Sequence, residues 1–247
     1  MTTDEGSAHR VALITGANRG IGFEVCRQLA GRGMTVVLGA RDPAKAGEAA
    51  RVLAEGGLNV RPLALDVTDD DGVSRAAHWI ESEFGQLDIL VNNAAAYVDW
   101  SETASAADLN AARDVFETNL FGTWRNCKAT LPLLRRSANG RIVNVSSGTG
   151  SHGESQFGLA TNGGAAASYG ISKAALNALT TKLAAELGDT GILVNAVCPG
   201  LTAIYPGAEA MGARPVAEGA ASIVWAATLP DGSPSGGFFR DGKPLPW

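Results

Sequence analysis

The stretch Val11-Ala12-Leu13-Ile14-Thr15-Gly16-Ala17-Asn18-Arg19-Gly20-Ile21-Gly22 decides the fold. Its first four residues form a continuous apolar run, which is typical of a buried parallel strand. Three glycines follow, and a helical pattern begins at Phe23. Glycines permit a tight turn and close backbone approach, and a helix N-terminus offers free N–H groups and a positive dipole end. The stretch therefore predicts an anion-binding site, and a glycine-rich loop without a ligand is the alternative interpretation.

Strand and helix patterns alternate along the rest of the chain. Apolar runs predict further strands at 35–40, 60–65, 87–91, 141–145, 192–197 and 237–239, with helical patterns between them. This alternation predicts an α/β fold: a Rossmann-type, doubly wound parallel sheet of about seven strands flanked by helices. Because no linker interrupts residues 1–247, we expect a single domain.

Composition excludes several classes of function. The chain has 247 residues, 45% of them apolar and 18% charged, which fits a globular protein with a well-buried core. Its net charge is −5 and no basic stripe is present, so we expect no nucleic-acid partner. Apolar runs stay well below the ~20 residues of a membrane span. Residues 1–6 lack the charged-then-apolar pattern of a signal peptide.

The cysteines and histidines indicate neither a disulfide framework nor a metal site. Cys26, Cys127 and Cys198 are far apart and odd in number, and the three histidines are scattered. We therefore expect reduced thiols in a cytoplasmic protein that holds no metal.

The tip of the second predicted strand carries the signal for the cofactor. The strand ends at Arg41-Asp42, where a dinucleotide-binding fold meets the adenosine ribose. The Arg41 guanidinium could clamp a ribose 2′-phosphate, and Arg19 could approach the same group, which favours NADP over NAD. The alternative is that Arg41 pairs with a surface carboxylate. Asp66, after the third strand, could contact the adenine ring or cap the next helix together with Thr68.

Tyr169 and Lys173 lie four residues apart in a predicted helix, so their side chains leave the same face. A lysine ammonium beside a phenol favours the phenolate and lowers the pKa of the tyrosine, which makes Tyr169 a candidate proton donor. The alternative is an ordinary tyrosine beside a solvated lysine. Ser147 follows the fifth strand at the edge where such sheets bind ligands, unless it only caps a turn. Asn119 lies inside the predicted helix 106–136, where it suggests a bend or close packing.

These motifs, in this order, resemble those of the short-chain dehydrogenase/reductase family, in its single-domain, carbonyl-reductase-like branch. The resemblance runs from Val11 to about Trp247. It rests on Thr15-Gly-x-x-x-Gly-Ile-Gly22, Asp66, Asn92-Asn93-Ala94, Asn119, Ser147, Tyr169-x-x-x-Lys173, Pro199-Gly200 and, for the branch, Arg41 and the C-terminal stretch 236–244.

The resemblance implies a single dinucleotide-binding and catalytic domain that reduces a ketone or aldehyde of a fairly apolar small molecule with NADPH. Tyr169 would be the general acid, Lys173 would lower its pKa and bind the nicotinamide ribose, Ser147 would hold the carbonyl oxygen, and Asn119 would hold a water of the proton relay. The cofactor contacts implied are Gly16, Asn18, Arg19, Gly20, Ile21, Gly22, Arg41, Asp66, Val67, Asn92, Ala94, Tyr169, Lys173, Pro199, Gly200 and Thr202.

The sequence departs from the family pattern in three places. Ala95 replaces a glycine, the interval from Ser147 to Tyr169 is longer than usual and predicts extra residues at the substrate mouth, and the segment 201–214 is remodelled. The remodelled segment keeps alternatives open: alcohol oxidation, or reduction-linked elimination, epimerisation or cyclisation in a biosynthetic pathway. A non-catalytic NADP-binding regulator is a further alternative. A homo-oligomer is possible, since related proteins often form tetramers.

Overall fold

A computed structural model describes residues 10–247. The segment 1–6, for which the sequence predicts no signal peptide, and His9 lie outside these residues. The described residues form one eight-stranded sheet with the order β3-β2-β1-β4-β5-β6-β7-β8. The strands are β1 (Val11–Ile14), β2 (Thr35–Ala40), β3 (Val60–Ala64), β4 (Ile89–Asn92), β5 (Arg141–Val145), β6 (Leu193–Val197), β7 (Phe238–Arg240) and β8 (Lys243–Pro244).

All neighbouring strands run parallel except β7 and β8, which are antiparallel. The sequence predicts about seven strands, and the eighth is a two-residue return of the C-terminal tail along β7. Both residues of this return are exposed, so no apolar pattern marks them as a strand. The helices are α1 (Gly20–Ala30), α2 (Pro43–Glu55), α3 (Asp70–Phe84), α4 (Leu109–Phe116), α5 (Thr123–Leu134), α6 (Ala167–Glu186) and α7 (Val216–Ala227).

Helices cover both faces of the sheet, which confirms the predicted doubly wound α/β fold. One buried cluster joins the sheet to α1, α2 and α7, through side chains such as Leu29, Leu53 and Ile223. The other joins it to α3, α5 and α6, through side chains such as Ile80 and Leu176. Burial on both faces explains why the central strands read as continuous apolar runs.

The predicted helix 106–136 contains a change of helical type. A π-helical segment, Glu117–Gly122, joins α4 to α5 and carries Asn119. A Cβ on Gly122 would lie 2.8 Å from Cγ2 of Val67, so this turn packs against the end of the third strand with no room for a side chain. The predicted close packing is confirmed, and π-helical turns of this kind often mark functional sites.

The order of strands locates the ligand-binding crevice. Chain order reverses between β1 and its neighbour β4, and parallel sheets bind ligands outside the carboxyl ends of the strands at such a switch point. The loops that leave β1, β4 and β5 therefore meet at one edge. Within residues 10–247, no helix is both long enough and apolar enough to cross a membrane.

Candidate active site

A cleft of about 590 Å³ lies at the switch point, between the β1–α1 loop and the loops that follow β2, β3 and β4. Ten of the sixteen predicted cofactor contacts line this cleft: Gly16, Asn18, Arg19, Gly20, Ile21, Gly22, Arg41, Asp66, Val67 and Ala94. The structure thus brings together residues as far apart in the sequence as Gly16 and Ala94, as expected where the order of strands reverses between β1 and β4.

Hydrogen bonds hold the glycine loop against the loop after β4, and the lack of a side chain at Gly16 permits this close approach. The Thr15 hydroxyl oxygen accepts hydrogen bonds from the backbone N–H groups of Asn93 and Ala94, both at 3.0 Å. The Asn93 amide donates to the carbonyl oxygens of Thr15 (2.8 Å) and Gly16 (3.0 Å). A Cβ on Gly16, which has a φ of 62°, would lie 2.7 Å from the Ala94 Cα.

This packing leaves the start of α1 facing the cleft. Arg19 precedes the helix, and its side chain does not cap the first N–H groups. Uncapped N–H groups at a helix N-terminus are suited to a phosphate. Asn93 was not among the predicted contacts, although it stands inside the Asn92-Asn93-Ala94 motif that supports the resemblance.

Charged side chains of both signs line the far end of the cleft: Arg41, Asp42, Lys45 and Asp66. The Lys45 Nζ lies 3.8 Å from a carboxylate oxygen of Asp42. Arg41 and Lys45 lie at the tip of β2 and in the first turn of α2, close to Arg19 of the glycine loop. Among residues 10–247, no carboxylate lies within ion-pairing distance of Arg41, so the surface ion pair is not what the structure shows. Asp42 instead caps α2 by accepting from the backbone N–H groups of Ala44 (2.9 Å) and Lys45 (3.2 Å). Lys45 was missed by the sequence analysis, although its four-residue spacing from Arg41 is a readable signal.

Asp66 has a local structural partner as well as a place in the cleft wall. Its Oδ1 accepts hydrogen bonds from the backbone N–H (3.0 Å) and the hydroxyl (2.7 Å) of Thr68. The residue that caps α3 is Asp69, whose side chain accepts from the Asp71 N–H. The predicted link between Asp66 and Thr68 is therefore a turn before the helix rather than its cap.

Tyr169, Lys173 and Ser147 are brought together at the end of β5. Tyr169 lies in the first turn of α6 and Lys173 in the next, with the Lys173 Nζ 5.5 Å from the centre of the Tyr169 ring. The ammonium donates a hydrogen bond of 2.9 Å to the carbonyl oxygen of Val145, the last residue of β5. The Ser147 side chain, two residues further on, lies close enough to the Tyr169 phenol to lower its pKa.

Burial controls the proton affinity of both groups on α6. It raises the pKa of Tyr169 well above the usual value; Tyr97 and Cys198 add to the rise and the nearby Ser147 side chain opposes it. Burial lowers the pKa of Lys173 to about 8, against a smaller opposing effect of Cys198. Desolvation of the phenolate is the dominant effect on the pKa of Tyr169 in this structure, and the lowering of that pKa by Lys173 stays a prediction. A raised pKa favours the protonated phenol, which is the form that a general acid needs.

Asn119 connects the loop after β4 to α6. Its Oδ1 accepts from the backbone N–H of Ala96 (2.8 Å), and its Nδ2 donates to the Ala96 carbonyl (3.0 Å) and to the Ser172 hydroxyl oxygen (3.0 Å). The Ser172 hydroxyl in turn donates to the carbonyl oxygen of Tyr169 at 2.7 Å. The side chain is thus fully used in positioning, and its role toward a relay water stays a prediction.

Six of the predicted contacts do not line this cleft: Asn92, Tyr169, Lys173, Pro199, Gly200 and Thr202. The Asn92 side chain is buried and donates to the Asn144 side chain at 2.9 Å. The Thr202 hydroxyl is also buried, within reach of the carbonyl oxygens of Pro199 (3.3 Å) and Gly200 (3.1 Å). From the remodelled segment it is Ile204 that lines the cleft.

The missing family glycine has a simple structural account. Ala95 lines the cleft, and its φ is not among the positive values found in the described residues. Glycine is required only where a positive φ or a close approach excludes a side chain, so this turn accepts alanine.

Two aromatic residues that no sequence motif identifies cover the ring of Tyr169. Tyr97 stacks on it with ring centres 5.1 Å apart, and Trp100 meets it edge-on at 5.5 Å. Their proximity arises from tertiary packing, since about seventy residues separate them from Tyr169 in the sequence. In residues 10–247, no cluster of His, Cys, Asp or Glu side chains could hold a metal ion.

A glycine-cradled cleft at the switch point of a doubly wound sheet, beside a tyrosine, a lysine and a serine, defines a dinucleotide-dependent oxidoreductase. Residues 10–210 match the short chain dehydrogenase family profile. Short-chain dehydrogenase/reductase 1 of Saponaria officinalis is 36% identical, covering 96% of this chain and 96% of its own length.

Two solved structures are similar throughout. Salutaridine reductase from Papaver somniferum is 32% identical with a TM-score of 0.78, covering 94% of this chain and 99% of its own. NADPH-bound carbonyl reductase from chicken fatty liver is 28% identical with a TM-score of 0.85, covering 96% of this chain and 99% of its own. The chain belongs to the short-chain dehydrogenase/reductase family, which confirms the resemblance drawn from its motifs.

Proposed function

We propose that this protein is an NADPH-dependent oxidoreductase that reduces a ketone or aldehyde of a fairly apolar small molecule to an alcohol. One observation carries the proposal: the buried Tyr169 phenol, close to Ser147 and one helical turn from the buried Lys173, stacks on Tyr97, which lines the glycine-cradled cleft. A proton donor beside a nucleotide cleft is what a carbonyl reduction requires.

The cleft fits NADP. Gly16, Gly20 and Gly22 form a cradle that admits no side chain at Gly16 or Gly22, and the start of α1 faces it with uncapped N–H groups suited to the pyrophosphate. Arg41, Lys45 and Arg19 would hold the 2′-phosphate. NADPH supplies a hydride when bound, and the NADPH-bound chicken carbonyl reductase supports this choice of cofactor.

The chain's own residues would handle the oxygen of the substrate. The Ser147 hydroxyl holds the carbonyl oxygen, and Tyr169 donates its proton to that oxygen as negative charge develops. The Lys173 ammonium, fixed by the Val145 carbonyl, stabilises the phenolate that remains. The Asn119 side chain fixes the position of α6 relative to the loop after β4, so that Tyr169 and Lys173 keep their geometry.

An apolar substrate agrees with the surroundings of Tyr169. Between Ser147 and Arg214, the basic residues are Lys173, Lys182 and Arg214 itself, and Arg214 is paired with Asp241. An anionic substrate would therefore find little charge compensation. Similarity to reductases along nearly the whole chain supports reduction as the direction of the reaction.

We also propose that residues 1–247 act as one dinucleotide-binding and catalytic domain in the cytoplasm. The single sheet with cores on both faces supports one cooperative unit. The three cysteines, Cys26, Cys127 and Cys198, are all free and buried, which suits a reducing compartment.

Oxidation of NADPH in the presence of a panel of ketones and aldehydes tests the proposal, with Tyr169→Phe as the variant. We expect wild-type turnover and a loss of about 10²–10⁴-fold in the variant, because the proton donor is removed while the ring remains. Tyr205→Phe is the matched control, since Tyr205 is an exposed tyrosine outside the cleft wall. Intact turnover in Tyr169→Phe would contradict the mechanism. Tight NADPH binding without turnover of any carbonyl would favour the regulator, and products of unchanged oxidation state would favour the specialised pathway enzyme.

A further inference from the structure

Two aromatic rings, those of Tyr97 and Trp100, form a corner over the ring of Tyr169, the proposed proton donor. Tyr97 lies nearly parallel to the Tyr169 ring, with planes 21° apart, and Trp100 stands at 72° to it. Tyr97 and Trp100 also contact each other, with ring centres 6.1 Å apart. Tyr169 is 6% exposed, whereas Tyr97 and Trp100 are 48% and 51% exposed. Each of the two outer rings therefore buries part of its surface over Tyr169 and leaves the rest open.

The corner is held rigidly at both ends. Before Tyr97, the backbone of Ala96 makes two hydrogen bonds to the Asn119 side chain. After Trp100, the Glu102 carboxylate accepts from the Ser168 N–H (2.8 Å) and its carbonyl oxygen accepts from the Ala167 N–H (3.2 Å). The rings are thus fixed to the same helix that carries Tyr169, and ordering them on binding a ligand requires little conformational entropy.

Two carboxylates of the segment that carries the corner, Asp99 and Glu102, are already engaged. The Glu102 carboxylate is bonded to α6, and Asp99 accepts from the N–H (2.8 Å) and hydroxyl (2.6 Å) of Ser101. Residues 93–108 include no lysine or arginine. What this segment offers to a ligand beside Tyr169 is aromatic surface: Tyr97 lines the cleft, and Trp100 contacts Tyr97 at its edge. Exposed aromatic surface at a cleft marks a binding site for an apolar ligand.

We propose that Tyr97 and Trp100 select the substrate: a carbonyl compound whose reacting C=O is attached directly to a flat, unsaturated ring. This inference rests on the proposed reductase function and specifies its substrate class. The rings lie 5.1 and 5.5 Å from the ring of the proton donor, so a ligand whose carbonyl oxygen reaches Tyr169 places its adjoining atoms against them. Aromatic faces and edges favour offset or edge-on contact with a planar π-system, which a puckered saturated ring cannot make equally well.

The decisive comparison uses two ketones with the same carbon skeleton, acetophenone and cyclohexyl methyl ketone, and measures kcat/KM for each with NADPH. We expect the wild type to prefer acetophenone. Trp100→Leu should lower this preference about threefold to tenfold, the range expected for the loss of one aromatic contact. Trp100→Phe should retain most of it. Trp124→Leu is the control, because Trp124 is similarly exposed (45%) but lies on α5, where it lines a separate pocket with Phe121 and Arg125.

A second readout separates the selection of substrate from catalysis. Binding of the same two ketones to the protein saturated with NADP⁺ is followed by calorimetry, in the wild type and in Trp100→Leu. A preference for acetophenone that Trp100→Leu reduces supports the proposal, whether or not either ketone is turned over. Equal affinities in the wild type, or an unchanged preference in Trp100→Leu, overturn it. Absence of turnover with intact, Trp100-dependent discrimination would instead contradict the reductase function alone.

Discussion

Replacing Lys173 by methionine should make the protein more stable at neutral pH while removing its activity. The Lys173 side chain is 2% exposed, and burial lowers its pKa from 10.5 to about 8. That difference corresponds to about 3 kcal/mol against the charged form in the folded state. Methionine has a similar length and no charge, so the variant avoids this unfavourable burial.

The lost hydrogen bond reduces the gain. Lys173 donates to the Val145 carbonyl, and a hydrogen bond from a charged donor contributes about 1.5–3 kcal/mol. We therefore expect the free energy of unfolding of Lys173→Met to exceed that of the wild type by about 1 kcal/mol at pH 7. Turnover should be lost, because nothing then stabilises the Tyr169 phenolate.

The pH dependence gives the sharper test. Since the folded pKa of Lys173 lies below the unfolded value, the unfolded state holds more protons between pH 8 and pH 10.5, and wild-type stability rises with pH across this window. By pH 9.5 the wild type should recover about 2 kcal/mol relative to Lys173→Met. The tyrosines titrate in both proteins, so their contribution cancels in the difference.

Urea unfolding at pH 7 and pH 9.5, without added cofactor, measures both values. Lys182→Met is the matched control: Lys182 is exposed on the same helix, and its replacement should leave the difference from wild type unchanged between the two pH values. A Lys173→Met variant whose stability relative to the wild type does not depend on pH would refute the reasoning.

Two further predictions concern the cofactor cleft. Arg41→Ala should weaken NADPH binding about 10–100-fold and leave NADH binding nearly unaffected, because a charge-assisted contact to the 2′-phosphate is lost. Equal losses of affinity for both nucleotides in titration calorimetry would count against this role. Arg51→Ala is the control, because Arg51 lies on the exposed face of α2. Gly16→Ala should lower the free energy of unfolding by about 1–2 kcal/mol or more, since an L-residue is strained at a φ of 62° and its Cβ would lie 2.7 Å from Ala94. Gly47→Ala is the matched control in helix α2, where no atom lies within 4 Å of the new Cβ and a slight gain is expected; thermal unfolding of both variants decides the matter.

Most of the fold could be predicted because its signals are local. Strand β1 and helix α1 are separated by a glycine turn, and the apolar run of β1 is continuous because both faces of this strand are buried. The exposed two-residue strand β8 has no such pattern, since its pairing with β7 depends on the path of the tail. The π-helical turn was predicted only as a bend or close packing, because its geometry depends on the contact between Gly122 and Val67.

The site shows the same division between local and non-local information. The glycine loop and the Tyr169–Lys173 spacing are short motifs with a direct physical meaning, and most of the residues predicted to bind the cofactor line the cleft. Thr202 illustrates the limit: its position after Pro199-Gly200 suggested a contact, yet its hydroxyl is buried inside its own loop. The direction in which a loop side chain points depends on neighbours that the motif does not contain.

The sequence by itself determined the α/β fold, the family and the groups available for proton transfer, because each is encoded within a few adjacent residues. Only the tertiary structure decided the burial of Tyr169 and the surface beside it. Both depend on residues distant in the chain: Tyr97 and Trp100 reach Tyr169 through a loop fixed by Asn119 and Glu102. Desolvation and ring packing are properties of the assembled interior, and no local pattern of residues specifies them.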